Sequence, residues 1–276
     1  MGGPVVWPVR PDLHGLVDLG FSVRTRRGSG PVLPDARAAV VRLGDGTVRV
    51  CGPRTRPWAP RRAGVDIVGL ALALGAVPAV LGVPAHVLTD RRVHLHDLWG
   101  SAATELVERT AGAPDEGARA ALLQQAVLAR GADASGVDPS VRHLVRRLGG
   151  TDAGVRAIAG EVGLSERQLR RRCEVAVGVP PSVLRRLLRL HRFLDSARTA
   201  SAQTSLTDLA SGAGYADQAH LSRETRALTG RSPSQCLARS AGRPIRSRPR
   251  PQGLPSVPGS AVGGAGEWTW THLTRP

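Results

Sequence analysis

The chain has 276 residues with 38 basic and 22 acidic side chains, and its formal net charge is +16. A balance this positive favours a polyanionic partner, either nucleic acid or an anionic membrane surface, over a cationic one. The three cysteines, Cys51, Cys173 and Cys236, show no Cys-x-x-Cys spacing, which argues against a zinc ribbon and a disulfide framework.

The first 98 residues predict a mainly β structure, because short apolar runs rich in Val and Leu alternate with turn signals. The run AAVVRLGDGTVRVCGP predicts a hairpin of two strands around a Gly-Asp-Gly turn. The uncharged stretch from Ile67 to Val83 is shorter than the ~20 residues of a membrane span and predicts a buried strand and turn. The N-terminus lacks a basic segment followed by a long apolar run, so no secretory signal is predicted and we expect a cytoplasmic protein.

Helical periodicity begins near Leu98, where two amphipathic segments predict helices that close the first domain. Asp138-Pro139 then predicts a new helix start, because a capping residue precedes proline at the first helical position. We therefore expect an α+β fold. A β-rich domain, cupin-like or a small barrel, with closing helices (1–130) and a linker (131–139) would precede an all-α double helix-turn-helix domain (140–240) and a disordered basic tail (241–276).

The excess of positive charge is densest after residue 137. Residues 1–137 hold 16 arginines and 12 acids, residues 138–240 hold 17 and 9, and residues 241–276 hold 5 and 1. The helical domain therefore carries half of the net charge, which places the expected polyanion contact there.

Two segments about fifty residues apart share one layout, VRAIAGEVGLSERQLRRR and LTDLASGAGYADQAHLSRE. In each, an apolar residue and an alanine precede a glycine (Gly163 or Gly214) that permits a sharp turn between two helices. A capping residue follows, Ser165 in one copy and Asp217 in the other, and Gln168 completes a capping box with Ser165. The repeat predicts two helix-turn-helix units.

The second helix of each unit would turn one polar face outward if Leu169 and Leu221 point into the core. Arginine can contact guanine bidentately in the major groove, and glutamine can do the same for adenine. The residues predicted to contact bases are Arg167, Arg170, Arg171, Gln218, His220 and Arg223. The residues predicted to contact phosphates are Arg172, Arg185 and Arg189.

Between the two units, PPSVLRRLLRLHRFLDSA predicts an amphipathic helix that spans roughly 25 Å. Successive major grooves on one face of a duplex are ~34 Å apart. This helix therefore predicts a rigid spacer that lets one chain occupy two adjacent grooves.

Residues 138–240 resemble the AraC/XylS family of bacterial transcription regulators, through the IAGEVGLSERQLRRR run and above all GYADQAHLSRE followed by TGRSP. The resemblance implies a sequence-specific DNA-binding regulator that is not an enzyme, with the second helix of each unit in the major groove. Where the family usually places phenylalanines, this chain has Cys173 and Thr225. The implied partners are double-stranded DNA, with RNA polymerase, a small-molecule effector and a second copy of the chain as further candidates; no membrane partner and no cofactor is expected.

The N-terminal half resembles the small β-rich sensor domains of actinobacterial relatives, through VCGPRTRP, LGVPA and RVHLHDLWG. In relatives, such domains bind effectors or mediate dimerisation. His94 and His96 could instead form a metal pair, on one face of a strand, but the nearest following glutamate is Glu105. The alternatives are a DNA-repair or metal-dependent enzyme domain fused to a DNA-binding module, and an interaction protein whose basic tail binds RNA or membrane.

Overall fold

The computed structural model describes residues 5–25, 30–59, 63–131, 136–150, 153–200, 203–240 and 246–247. Its N-terminal half is built on one sheet with the strand order β6-β4-β3-β5-β2-β1, in which every neighbouring pair is antiparallel. The strands are β1 (Val5–Trp7), β2 (Val17–Arg24), β3 (Ala39–Leu43), β4 (Val48–Cys51), β5 (Asp66–Leu72) and β6 (Arg92–His94). A two-residue strand, β7 (Arg246–Ser247), pairs in parallel with β1.

The predicted hairpin is confirmed as β3 and β4, with Val40 opposite Val50. In the turn, the Asp45 carboxylate accepts hydrogen bonds from the backbone N–H and hydroxyl of Thr47. Gly46 has φ +91°, a conformation that favours glycine. The turn chemistry and the alternation of buried valines therefore fix the register of this pair.

Helices cover one face of the sheet and complete the first core. They are α1 (Val77–Leu81), α2 (His96–Trp99), α3 (Ser101–Ala111) and α4 (Glu116–Gly131), with short 3-10 helices at Pro11–Leu13 and Ala85–Leu88. The expectation of strand and turn over 67–83 is correct for β5 but wrong for α1. There, a proline in the first turn and Gly82 at φ +72° start and close a helix of five residues.

The C-terminal half is all helical, as predicted, and has its own core. Its helices are α5 (Pro139–Gly150), α6 (Val155–Glu161), α7 (Glu166–Val177), α8 (Pro181–Thr199), α9 (Leu206–Gly212), α10 (Gln218–Thr229) and α11 (Pro233–Ser240). Residues 132–135 of the expected linker lie outside the described residues, as does the expected tail apart from β7. Among the described residues, no helix has both the length and the apolarity needed to cross a bilayer.

The two halves contact each other closely. Leu33 and Ala36 of the sheet half are buried in the same cluster as the C-terminal helices. The Thr89 hydroxyl donates to the carbonyl of Gly178 (2.8 Å), and Nε2 of His191 lies 2.8 Å from the carbonyl oxygen of Pro34. The contact therefore involves both α7 and α8, and a cavity of about 480 Å³ lies between the halves.

Candidate nucleic-acid interface

The first repeat forms a helix-turn-helix unit from α6 and α7. Ile158 and Ala159 are fully buried, and Gly163 turns the chain at φ +66°. Ser165 accepts a hydrogen bond from the backbone N–H of Gln168, whose side chain accepts in return from the backbone N–H of Ser165. The predicted glycine turn and capping box are thus confirmed, and they fix where α7 begins.

The second repeat forms the matching unit from α9 and α10. Gly214 has φ +83°, and the Asp217 carboxylate accepts from the backbone N–H of His220. A further capping box joins Ser205 and Asp208 at the start of α9, which the sequence analysis missed although the Ser-x-x-Asp spacing signals it. Leu169 and Leu221 are both 0% exposed, so each second helix is anchored as predicted.

The outer face of α7 is basic and open. Arg167, Arg170 and Arg171 are all exposed. Nε of Arg170 pairs with Glu174 one turn further on (3.0 Å), yet its side chain stays 63% exposed. Arg167 and Arg171 form no ion pair with any residue in the described part of the chain, so their guanidinium groups are available to a ligand.

The outer face of α10 is open at two of the three predicted positions, Gln218 and Arg223, which are exposed. His220 is half-buried instead. Its ring meets the edge of Tyr215, with centroids 5.3 Å apart, and its Nε2 lies 3.8 Å from a Glu224 carboxylate oxygen. His220 therefore takes part in the packing between α10 and its surroundings as well as bordering the outer face.

Glu224 connects α10 to α8 through a buried ion pair that the sequence analysis did not identify. Its carboxylate is 8% exposed and accepts from Nε of Arg186 (3.2 Å) and Nη2 of Arg189 (3.1 Å). The Arg189 guanidinium also lies over the Tyr215 ring, 5.3 Å from the centroid. The available signal was an acid three residues after the core leucine of α10, in a chain whose predicted spacer helix is rich in arginine.

The three predicted phosphate-contacting residues all have partners within the chain. Arg172 pairs with Asp138 (3.1 Å) and so joins α7 to the start of α5. Arg185 donates to the carbonyl of Ala153, and Arg189 is held by Glu224. Arg172 keeps half of its side chain exposed, whereas Arg189 is mostly buried.

The helix α8 has 19 residues, which corresponds to a length of about 28 Å, and separates the two units. The arginines of α8 are half-buried. They do not extend fully into solvent, because Glu224 and nearby carbonyl groups accept hydrogen bonds from them. The helix α8 follows α7 in the chain, and Arg186 and Arg189 in its first half hold α10 through Glu224.

The described residues contain no group of three or more His, Cys, Asp or Glu side chains arranged for a metal ion. The expected placement of His94 and His96 on one strand is wrong, because β6 ends at His94 and α2 begins at His96. Among the cysteines, burial raises the pKa of the Cys173 thiol to about 12, so its reactive thiolate form is suppressed.

Residues 158–239 match a family described as "Helix-turn-helix domain". A comparison of the whole sequence with curated proteins gave no match. The chain is similar to the solved C-terminal domain of AraT, a response regulator from Geobacillus stearothermophilus (18% identity, 42% of this chain and 94% of that chain, TM-score 0.34). It is also similar to two structures of ToxT from Vibrio cholerae. One is bound to an unsaturated fatty acid (12% identity, 85% and 94% coverage, TM-score 0.42), and the other has 10% identity, 86% and 96% coverage and a TM-score of 0.43.

Proposed function

We propose that this DNA-binding transcriptional regulator, whose residues 158–239 form an AraC-type helix-turn-helix domain, binds two adjacent major grooves of one duplex through α7 and α10. The observation that carries the proposal is the equivalence of the two helices. Each begins at a capped turn after a glycine, is anchored by a fully buried leucine and exposes arginine or glutamine on the opposite side.

The exposed side chains are chemically matched to base edges. Arginine pairs bidentately with guanine and glutamine with adenine in the major groove. We assign the base contacts to Arg167, Arg170, Arg171, Gln218 and Arg223, with His220 at the border of the same face. This assignment gives α7 a preference for guanine-rich sequence and α10 a mixed one.

Phosphate contacts would supply affinity without sequence preference and make binding dependent on salt. We assign Arg172 and Arg185 to this role, since both retain donors beyond the single hydrogen bond that each makes. Arg189 is left out because its guanidinium is engaged by Glu224 and Tyr215.

The remaining partners follow from the proposed role. A regulator that binds DNA acts where the bacterial chromosome lies, so we place it in the cytoplasm. We assign it no enzymatic activity, because the proposed role is binding alone. RNA polymerase and a second copy of the chain stay predictions from the family resemblance, and so does an actinobacterial type of sensor domain.

Gel-shift titrations on a site selected from random DNA test the proposal. Arg171→Ala and Arg223→Ala should each cost ~1 to 3 kcal/mol of binding free energy on that site and much less on random DNA. Arg109→Ala, which removes an exposed arginine of the sheet half, is the matched control and should leave both affinities unchanged. Equal losses on both DNAs would contradict base contact by these arginines.

A further inference from the structure

The second face of the sheet, away from the helices of the first domain, holds a small cavity that the proposed function does not use. Its floor is apolar and includes Phe21, Val41 and Ile67. The segment that crosses this face borders the cavity with Val32, Arg54 and Trp58, and isolated bridges pair Val32 with Trp58 and Asp35 with Arg54. The cavity measures about 90 Å³.

Three arginines, Arg49, Arg54 and Arg92, line this cavity. The strand register brings two of them together, because Arg92 on β6 pairs with Cys51 and Arg49 lies two residues before Cys51 on the same face of β4. The Arg92 guanidinium lies on the Trp58 ring, 3.1 Å from its centroid. These three residues and the apolar floor are named the arginine cavity below.

The three arginines of the cavity differ in their surroundings, since the charge of Arg54 acts on the buried carboxylate of Asp35. Within the described part of the chain, no carboxylate lies within ion-pair distance of Arg49 or Arg92, and Nε of Arg49 is buried without a hydrogen-bond partner. Arg92 keeps part of its side chain exposed, and desolvation of the rest lowers its pKa. Interaction with Cys51, including a side-chain hydrogen bond, raises that pKa, and the charges of Arg54 and Arg49 lower it. A bound anion would satisfy these donors and offset the repulsion.

The size and position of the cavity restrict what the anion can be. Arg54 is 8% exposed, so its guanidinium is out of reach of a duplex phosphate backbone, which needs an open surface. The apolar floor favours a hydrocarbon body beside the charged group, and guanidinium geometry matches a carboxylate bidentately.

We propose that the arginine cavity binds a small organic carboxylate with a compact, branched apolar body. The carboxylate contacts Arg49 and Arg92, and the hydrocarbon part lies on the floor formed by Phe21, Val41 and Ile67. The site is in the sheet half and needs no DNA, so its test is independent of the proposed function.

Isothermal titration of the full chain with isobutyrate as the probe tests the proposal. Isobutyrate should bind at one saturable site, and isobutyramide, which has the same shape without the charge, should bind at least about tenfold more weakly. Sulfate, an anion without an apolar body, should also bind more weakly. No saturable isobutyrate binding, or equal binding of isobutyrate and either comparison compound, would overturn the assignment.

Substitutions of the cavity arginines test where on the structure isobutyrate binds. Arg49→Gln and Arg92→Gln should each weaken isobutyrate binding by at least about tenfold, the loss expected for one charge-assisted hydrogen bond. Arg56→Gln changes an exposed arginine in the neighbouring loop and should leave the affinity unaltered. Unchanged affinity in a folded Arg92→Gln variant would refute the location, while the amide comparison uses the unaltered chain and does not depend on how the variants fold.

Discussion

At the scale of single residues, Glu224 holds α10, the helix that we propose enters the second groove, against α8. Its carboxylate bridges two arginines of α8 and lies near the ring of His220. A buried ion pair is costly to break from one side, because the charges that remain lose their partner without regaining water. The orientation of α10, and with it Arg223, therefore depends on an acid that is buried against α8.

Glu224→Gln removes this charge while keeping the shape of the side chain. We expect it to lower the free energy of unfolding by about 3 kcal/mol, as for other half-broken buried pairs. Urea denaturation measures the change. Glu108→Gln, at an exposed acid of α3, should stay within about 0.5 kcal/mol of the unaltered chain. A Glu224→Gln variant as stable as this control would show that the ion pair does not hold α10.

The buried carboxyl group of Asp35 makes the free energy of unfolding depend on pH in the acid range. Burial favours its neutral form, but the charges of Arg37, His191 and Arg54 prevail and lower its pKa to about 2. A carboxylate whose folded pKa lies below the unfolded value of about 3.9 stabilises the fold above that pH and loses its contribution as the pH falls towards 2. The contribution amounts to about 2 to 3 kcal/mol.

Asp35→Asn should therefore destabilise the chain near neutral pH, and the difference from the unaltered chain should shrink as the pH falls from about 4.5 to 2.5. Urea denaturation across this range measures the difference. Asp66→Asn, at an exposed acid paired with Arg24, is the control and should change little at any pH. A gap between Asp35→Asn and the unaltered chain that stays constant with pH would contradict the assigned pKa.

At the scale of elements, the glycine turn of each unit sets the angle between its two helices. Gly163 has φ +66° and nothing lies within 4 Å of the position that a Cβ would take, so the only cost of alanine there is the backbone conformation. Gly163→Ala should lower the free energy of unfolding by ~1 to 2 kcal/mol, measured by urea denaturation. Gly160→Ala, inside α6 with equally open space, should be neutral or stabilising because alanine is the better helix former. The prediction fails if both substitutions have the same sign.

The sequence alone could predict those elements whose conformation depends on residues close together in the chain. The capping box at Ser165, the turn at Gly163 and the hairpin at Gly46 each depend on residues within a few positions of one another, so their patterns are visible without a structure. The helix α1 was missed because a run of five residues is too short for periodicity to separate helix from strand.

At the scale of the whole molecule, the sheet half contacts the end of α7 at Gly178 and contacts α8 at His191. Gly178 ends α7 at φ +90°, and a Cβ there would lie 2.7 Å from the Thr89 hydroxyl and 3.0 Å from both the Ala85 carbonyl oxygen and Pro53. Gly230 ends α10 at φ +70° with nothing within 4 Å. The helices α7 and α10 therefore differ in what holds their C-terminal ends, and the contact at α7 includes Pro53, the residue before Arg54 of the arginine cavity.

Gly178→Ala and Gly230→Ala form a matched pair. Both should lose ~1 to 2 kcal/mol of unfolding free energy to backbone strain, and Gly178→Ala should lose more because it also pushes the sheet half away. Urea denaturation of the two variants measures the difference. Equal losses would show that the contact between the halves contributes nothing to stability.

Sequence patterns could not predict this contact or the Glu224 ion pair. Thr89 and Gly178 are 89 positions apart, and Glu224 and Arg189 are 35 apart, so neither pairing leaves a local pattern. The exposed faces of α7 and α10 were predictable because helical geometry alone places Arg171 and Arg223 opposite Leu169 and Leu221. The ion pair between Arg189 and Glu224 was not predictable, since the two residues lie on different helices.

The most direct measurement is methylation interference on the selected DNA site, which reports guanine N7 contacts in the major groove. With the unaltered chain, two clusters of interfering guanines should lie one helical turn, about 10 base pairs, apart. Arg171→Ala should abolish interference in one cluster and Arg223→Ala in the other. A single cluster, or the same guanines lost in both variants, would contradict the binding of two adjacent grooves by one chain.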